Sequence, residues 1–449
     1  MDTEPSTTPE PGTTVAAPPS VPFTGWRVIA GLFIVLMVSS GFGFYGQGVY
    51  LRALVVERGW STGLASAATA TFFVASGLFG YAISGLLLRV DVRKVIVAGL
   101  VLGPVGLAML GQVHEPWQMF AADVVFGAGF ALSGLVPATT TVARWFVRRR
   151  SVALSVASTG LSMGGIAITP FVAALIARNH MGPVSPWLAV IWVAIGLPVT
   201  LLLVRSSPAG ENQYPDGDPP PPVAAGAAVG TKPAMVMPGL SFAEARATRF
   251  YWLMTAAYLF VMLGQVGGLS QQVKLVSERV DSLAAASVTM VAASSVIGRL
   301  AGGLLVTRVP PKTFAAVLMA VQGAALASFA FAATPASVIV TCIVFGLSVG
   351  NLLMLQPLLL AETFGVREYS RIYSMSSLIM TVGVGLGPTV LGVLHDVSGY
   401  ELAFLVAAAS SGLALVLFSL AGPLVSAETR EAQVLRTRSL GPVGMATAG

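Results

Sequence analysis

Apolar runs of about twenty residues, nearly free of charge, recur from one end of this chain to the other. Each is long enough to cross the roughly 30 Å hydrocarbon core of a bilayer as a helix. They lie at about 26–50, 64–88, 95–112, 117–143, 152–177, 186–204, 250–273, 284–306, 313–333, 335–360, 371–394 and 401–422. In hydrocarbon every backbone N–H and C=O must find its partner within the protein, which leaves such runs the α-helix. A 55% hydrophobic, 10% charged composition over 449 residues, with mean hydropathy +0.82, cannot be buried in a soluble core. The expectation is an all-α membrane protein of twelve transmembrane helices.

Composition shifts divide the chain. Residues 1–22 are Pro/Thr-rich with three acids and no basic stretch before an apolar one, which reads as a cytoplasmic tail and not a cleaved signal. Residues 23–205 form a first group of six spans and 249–423 a second, with 424–449 as a C-terminal tail. Between the groups, 206–248 carries Pro219 to Pro222 in a row and reads as a flexible loop. With both termini inside, nineteen of the 25 basic residues face the cytoplasm and five the outside. That asymmetry fixes the expected topology, a multi-pass protein of the cell membrane. The remaining one is Arg299, inside a span.

Arg299 lies eight residues before Thr307, about 12 Å of helix from the inner interface, and no acid is within helical reach on its own run. A charge at that depth costs several kcal/mol unless a cavity, a partner helix or an anion compensates it. A guanidinium in a low-dielectric cavity suits a carboxylate through paired N–H donors. The competing reading is a structural pair or a snorkelling side chain. Asp123 is the one acid well inside a span, either a proton carrier or a packing hydrogen-bond partner.

The groups look like copies. Gly80 and Gly85 match Gly298 and Gly303 at an offset of 218, as Phe146, Gly165 and Pro170 match Phe364, Gly383 and Pro388. Val125 to Gly127 match Val344 to Gly346 at 219. This register sets Tyr81 opposite Arg299, and duplicated halves place a substrate site at their interface near the midplane.

Further elements are Gly25-Trp26-Arg27, Gly59-Trp60-Ser61, Arg144-Trp145-Phe146-Val147-Arg148-Arg149-Arg150, Tyr214-Pro215-Asp216-Gly217, Gly298-Arg299, and Gly387-Pro388 with Asp396. Together they resemble the major facilitator superfamily from about Trp26 to Pro423, and within it the monocarboxylate-transporter and oxalate/formate-antiporter branch. The resemblance implies two pseudo-symmetric six-helix bundles and a helix 8 arginine, here Arg299, that binds the substrate carboxylate. Three positions depart from the pattern. Ser295 stands where some relatives carry a coupling aspartate. Helix 11 has no lysine to make a second cation. Arg89 stands where the loop between helices 2 and 3 usually has an acid.

Polar side chains that would complete a cavity are Tyr45, Gln47, Gln265, Asn351, Gln356 and Tyr373, with Tyr81; singly, each serves equally well as an interhelical hydrogen-bond partner. Arg89, Asp91, Arg93, Lys94 and Arg144, with Glu362 and Arg367, are the expected inner gate, Glu362 pairing with Arg367 and Arg371. The expected partners are a small organic anion, a proton or counter-anion, and the lipid bilayer. No motif calls for a cofactor, a metal, nucleic acid or catalysis, and a monomer is compatible with the sequence. A monocarboxylate transporter is the leading reading, an exporter of a larger hydrophobic metabolite or drug the rival. A transporter-like membrane sensor is the alternative of another class.

Overall fold

The computed structural model of the protein describes residues 22–219, 239–425 and Thr429. Most of the expected terminal tails and the middle of the central loop lie outside the described residues. Eleven described helices are long and apolar enough to cross a membrane: α1 Gly25–Arg58, α2 Gly63–Leu88, α3 Val92–Gly111, α4 Pro116–Trp145, α5 Arg150–Asn179, α6 Met181–Leu203, α7 Arg249–Arg279, α8 Ala286–Leu305, α9 Pro311–Phe331, α10 Pro335–Phe364 and α11 Tyr369–Leu420. The last is two crossings. Its helix breaks at Gly399, whose φ of 78° and ψ of 179° no helix contains. Gly264 of α7 touches Ala407 and Ser410, while Gly267, one turn on, touches Gly387. A straight helix would set Gly387 and Ala407 about 30 Å apart, so the chain turns back at Gly399. Twelve crossings result, as the hydropathy pattern requires.

Local chemistry explains the helix ends. Capping boxes start α4 (Glu115 with Gln118) and α10 (Thr334 with Ser337), each followed by a proline at the first helical position. At the opposite ends, two arginines serve two carbonyl-rich termini. Arg58, closing α1, donates to Gly111 O at the end of α3, and Arg279, closing α7, donates to Phe329, Ala330 and Ala332 O at the end of α9. Trp117 and Trp187 stand exposed toward one end of the bundle and Trp26 and Trp252 toward the other, the two-belt placement of aromatic side chains at membrane interfaces.

The duplication is visible in close packing. A Cβ added to Gly160 or Gly164 of α5 would meet Phe33 O or Met37 O of α1; one added to Gly383 or Gly387 of α11 would meet Leu259 O or Leu263 O of α7. These contacts pair Gly160 and Gly164 with Gly383 and Gly387, whereas the sequence offset of 218 sets Gly165 opposite Gly383. The register of α2 and α8 also differs from that offset. Gly127 packs on Phe72 and Ala75, and Gly346 on Val291 and Ser294, a spacing of 219 in both contacts.

The halves differ where the first is interrupted. α1 contains a π-turn at Ser40–Phe44 and α5 another at Gly164–Ile168. α4 breaks at Gly134, which leaves the helix at φ −91°, ψ −150°. Pro137 and Pro170 lie just after two of these interruptions; each lacks the N–H its helix needs and crowds the carbonyl four residues back. α7 and α10 run unbroken.

Gly383→Ala must push the Leu259 carbonyl aside, whereas Gly385, one residue pair along the same helix, has nothing within 4 Å of an added Cβ. Gly383→Ala is expected to lower the melting temperature by several degrees, an overpacking cost of about 1–3 kcal/mol, and Gly385→Ala to leave it level or raise it. Equal effects in a thermal melt would contradict this packing.

Candidate functional site

Three helices present faces to one cavity at the spacing that brings helical residues into line. α2 contributes Phe73, Ser76, Gly77 and Gly80; α7 contributes Met262, Gln265, Val266 and Leu269; α11 contributes Ser374, Ser377, Leu378 and Thr381. Arg299 and Ser295 of α8 complete the wall, with Tyr45 of α1 and the broken part of α4 at Gly134 and Leu135. The cavity, of about 180 Å³, lies between the two halves.

Arg299 is 2% exposed. Its compensation comes from carbonyls: Nε donates to Gly350 O of α10 at 2.8 Å, and Nη1 to Ser158 O of α5. Its own carbonyl accepts from Ser155 Oγ. No carboxylate among the described residues forms an ion pair with it. A guanidinium carries five N–H donors, and these two bonds leave three for the cavity it lines. The arginine therefore ties the second half to the first while keeping donors for a ligand.

The expected site residues separate into two groups. Tyr45 and Gln265 line the cavity with Arg299, and the Tyr45 phenol lies within electrostatic reach of the guanidinium. Tyr81 does not. It is 38% exposed and outside the wall, because the 219 register of α2 and α8 sets Gly80, not Tyr81, opposite Arg299. Gln47 donates to Asp123 Oδ1 at 3.4 Å; Asn351 donates to Gly298 O at 2.7 Å and Leu347 O at 2.9 Å; Gln356 donates to Ser376 Oγ at 3.0 Å. Tyr373 is buried and stacked on Tyr369, ring centres 5.7 Å apart. These four are helix-packing groups outside the cavity wall, and Asp123, 2% exposed, lies with Gln47 away from Arg299.

The sequence reading missed Ser374, Ser377 and Thr381, though their i, i+3, i+7 spacing with Leu378 at i+4 was a usable signal. It also missed Phe44, Phe73 and Phe130, whose hydrophobicity reads as ordinary core.

Toward the end that carries the Arg144–Arg150 loop, the halves are joined. Ser370 Oγ donates to Ser84 O at 2.8 Å, and Ser162 and Ser295 share a bond at 3.4 Å. With the Ser155 and Ser158 contacts of Arg299, these close the cavity on that side. Arg150 is 7% exposed, donates to Phe146 O and Ala143 O, and stands within electrostatic reach of Glu362 and Tyr369 across the interface. The second-half ion pair joins Arg371 to Glu368 at 3.6 Å, in place of the expected pairing of Glu362 with Arg367 and Arg371. Arg89 and Arg367 are exposed. Arg144 donates to Leu87 O at 2.8 Å, within reach of the Asp91 charge.

The loop is held from below by the Tyr214-Pro215-Asp216-Gly217 element. The Asp216 carboxylate accepts from the backbone N–H groups of Val147, Arg148 and Arg149 at 2.9, 2.7 and 3.2 Å, and Arg148 pairs with Asp218. Trp145 Nε1 donates to Arg205 O at 2.9 Å. The two motifs far apart in sequence are one structural unit.

The profile of the Major Facilitator Superfamily matches residues 31–359. The chain belongs to that superfamily. It is 24% identical over 335 residues to monocarboxylate transporter 13 of Bos taurus, covering 73% of this chain and 72% of that one. It is 24% identical over 396 residues to the aspyridones efflux protein apdF of Emericella nidulans, covering 85% and 75%. Among solved structures it is similar to FucP of E. coli in the outward conformation, with TM-score 0.67 and 18% identity, covering 89% of this chain and 98% of that one. The chain is thus a multi-pass membrane transporter of the major facilitator fold.

Asp91 begins α3 and accepts from Arg93 N at 2.8 Å and from Ser206 Oγ. Burial raises its carboxyl, but the two hydrogen bonds and the charges of Arg93 and Lys94 outweigh that and hold it below its ordinary value. A carboxylate with a lowered value stabilises the fold above the unfolded-state value and loses that contribution as pH falls through the folded one. Asp91→Asn keeps the helix cap and removes the charge. It is expected to melt below wild type from pH 8 to about 5, the gap closing below about pH 4. A gap that widens with acid would contradict the assignment.

Proposed function

We propose that this transporter carries small organic anions, monocarboxylates foremost, across the cell membrane by alternating access, with Arg299 as the carboxylate anchor. One observation carries the reading: a fully buried guanidinium in the cavity between the halves, bonded to two carbonyls and to no acid, with donors to spare. A carboxylate is a charged acceptor that can take two parallel N–H bonds from a guanidinium, which a single carbonyl oxygen cannot. An arriving anion would draw Arg299 from Ser158 O and so loosen the tie between α8 and α5. Ligand binding and release of the closed end are then one event, which is what alternating access needs. The helix that restarts at Leu135 turns its positive N-terminal end to the same cavity.

The nineteen-to-five distribution of basic residues supports a cytoplasmic placement of the Arg144–Arg150 loop. The cavity is then closed to the cytoplasm, in keeping with the outward conformation of FucP. A lone cation favours one carboxylate over two. Transport is coupled to a proton, with Asp123 as its carrier, or to a counter-anion.

Uptake of labelled monocarboxylates into proteoliposomes tests this. Arg299→Ala is expected to fold and to lose at least 95% of uptake, about 2 kcal/mol or more of ligand binding, while Arg299→Lys restores only a minor part. Wild-type uptake in folded Arg299→Ala would refute the anchor. Under proton coupling, Asp123→Asn abolishes accumulation driven by a pH gradient and spares exchange; under counter-anion coupling exchange is intact in the variant and a pH gradient drives no accumulation even in the wild type.

A further inference from the structure

The two halves line the cavity with different chemistry. Its aromatic rings, Phe44, Tyr45, Phe73 and Phe130, all come from the first half, and its single charge comes from the second. The rings are not scattered. Phe44 meets Phe73 edge-on with centroids 5.5 Å apart and Tyr45 at 5.1 Å, and Phe72 links Phe73 at 5.1 Å to Phe130 at 5.4 Å. A cluster of this kind holds each ring in a fixed orientation.

Small residues line the cavity beside the rings. Gly80, the true counterpart of Arg299, has its nearest neighbour 3.9 Å from an added Cβ, so the first half leaves a gap where the second places a guanidinium. Gly77 and Gly134 line the same wall. An anion held at Arg299 thus shares its cavity with an apolar, ring-lined slot supplied by the first half. A ligand with two or three carbons would leave that slot unfilled.

We propose that the preferred substrate is a carboxylate carried on an aromatic body, its charge read by Arg299 and its ring by the Phe44, Phe73 and Phe130 wall. This rests on the reading of Arg299 as carboxylate anchor and adds which carboxylates the cavity selects. An aromatic body is favoured over an aliphatic one of equal size because edge-to-face ring contacts add to the simple burial of area.

The test is a titration of the full-length protein in lipid nanodiscs, read by calorimetry, with propionate, cyclohexanecarboxylate, benzoate and benzamide. Benzoate is expected to bind on the order of tenfold more tightly than propionate and a few-fold more tightly than cyclohexanecarboxylate. Phe73→Leu, a substitution that keeps the wall apolar, is expected to erase the preference for benzoate over cyclohexanecarboxylate. Equal affinities for propionate and benzoate, or an unchanged preference in Phe73→Leu, overturn the aromatic selection and leave the anchor standing. Benzamide binding as tightly as benzoate, or benzoate binding undiminished by Arg299→Ala, overturns the anchor itself.

Discussion

A guanidinium held near the centre of a bilayer by backbone carbonyls alone is the constraint from which the rest of this protein follows. Two carbonyls answer part of the hydrogen-bonding needs of Arg299 without neutralising its charge. On the proposed reading, the site is stable when empty and attractive to an anion. The two carbonyls belong to different halves of the molecule, Ser158 in the first and Gly350 in the second, so the side chain that would hold a ligand also spans the moving interface. A residue serving in only one of these capacities would bind without coupling, or lock without sensing.

Packing within each half is shared by the two, while the chemistry of their cavity faces differs. Gly160 and Gly164 approach α1 as Gly383 and Gly387 approach α7, and Arg58 and Arg279 finish corresponding helices. These contacts involve backbone, where any side chain would clash, so a duplicated bundle retains them. The cavity faces carry no such restriction. There the first half has broken helices, glycine at position 80 and a wall of rings, and the second has continuous helices and the cation. An asymmetric ligand, charged at one end and apolar at the other, matches that division.

Much of this was legible in the sequence. Span lengths determined twelve crossings, and the absence of any local acid marked Arg299, since hydrophobic runs and isolated charges act through a property of the residue itself. What depended on rotation about a helix axis was harder. One residue of register is about 100°, enough to move Tyr81 out of the site and bring Gly80 in. The offset of 218 came from glycines and prolines on several helices at once, and α2 with α8 follows 219. Gln47, Asn351 and Gln356 are polar and deep, but each donates to a neighbour that sequence cannot identify: Asp123, Gly298 and Ser376. The Arg150 contact with the second half was hidden for the same reason, in a run of three arginines whose other two members face outward. The reversal at Gly399 was expected because two adjacent spans must turn somewhere; only the structure shows that one glycine in a left-handed conformation does it.

The most direct test of a carboxylate anchor is an electron cryo-microscopy structure of the wild-type protein with bound benzoate, compared with one determined without it. The account predicts density for the carboxylate against the Arg299 guanidinium, with Nη1 drawn away from Ser158 O. Ligand density elsewhere in the cavity, with both carbonyl bonds of Arg299 intact, would contradict it.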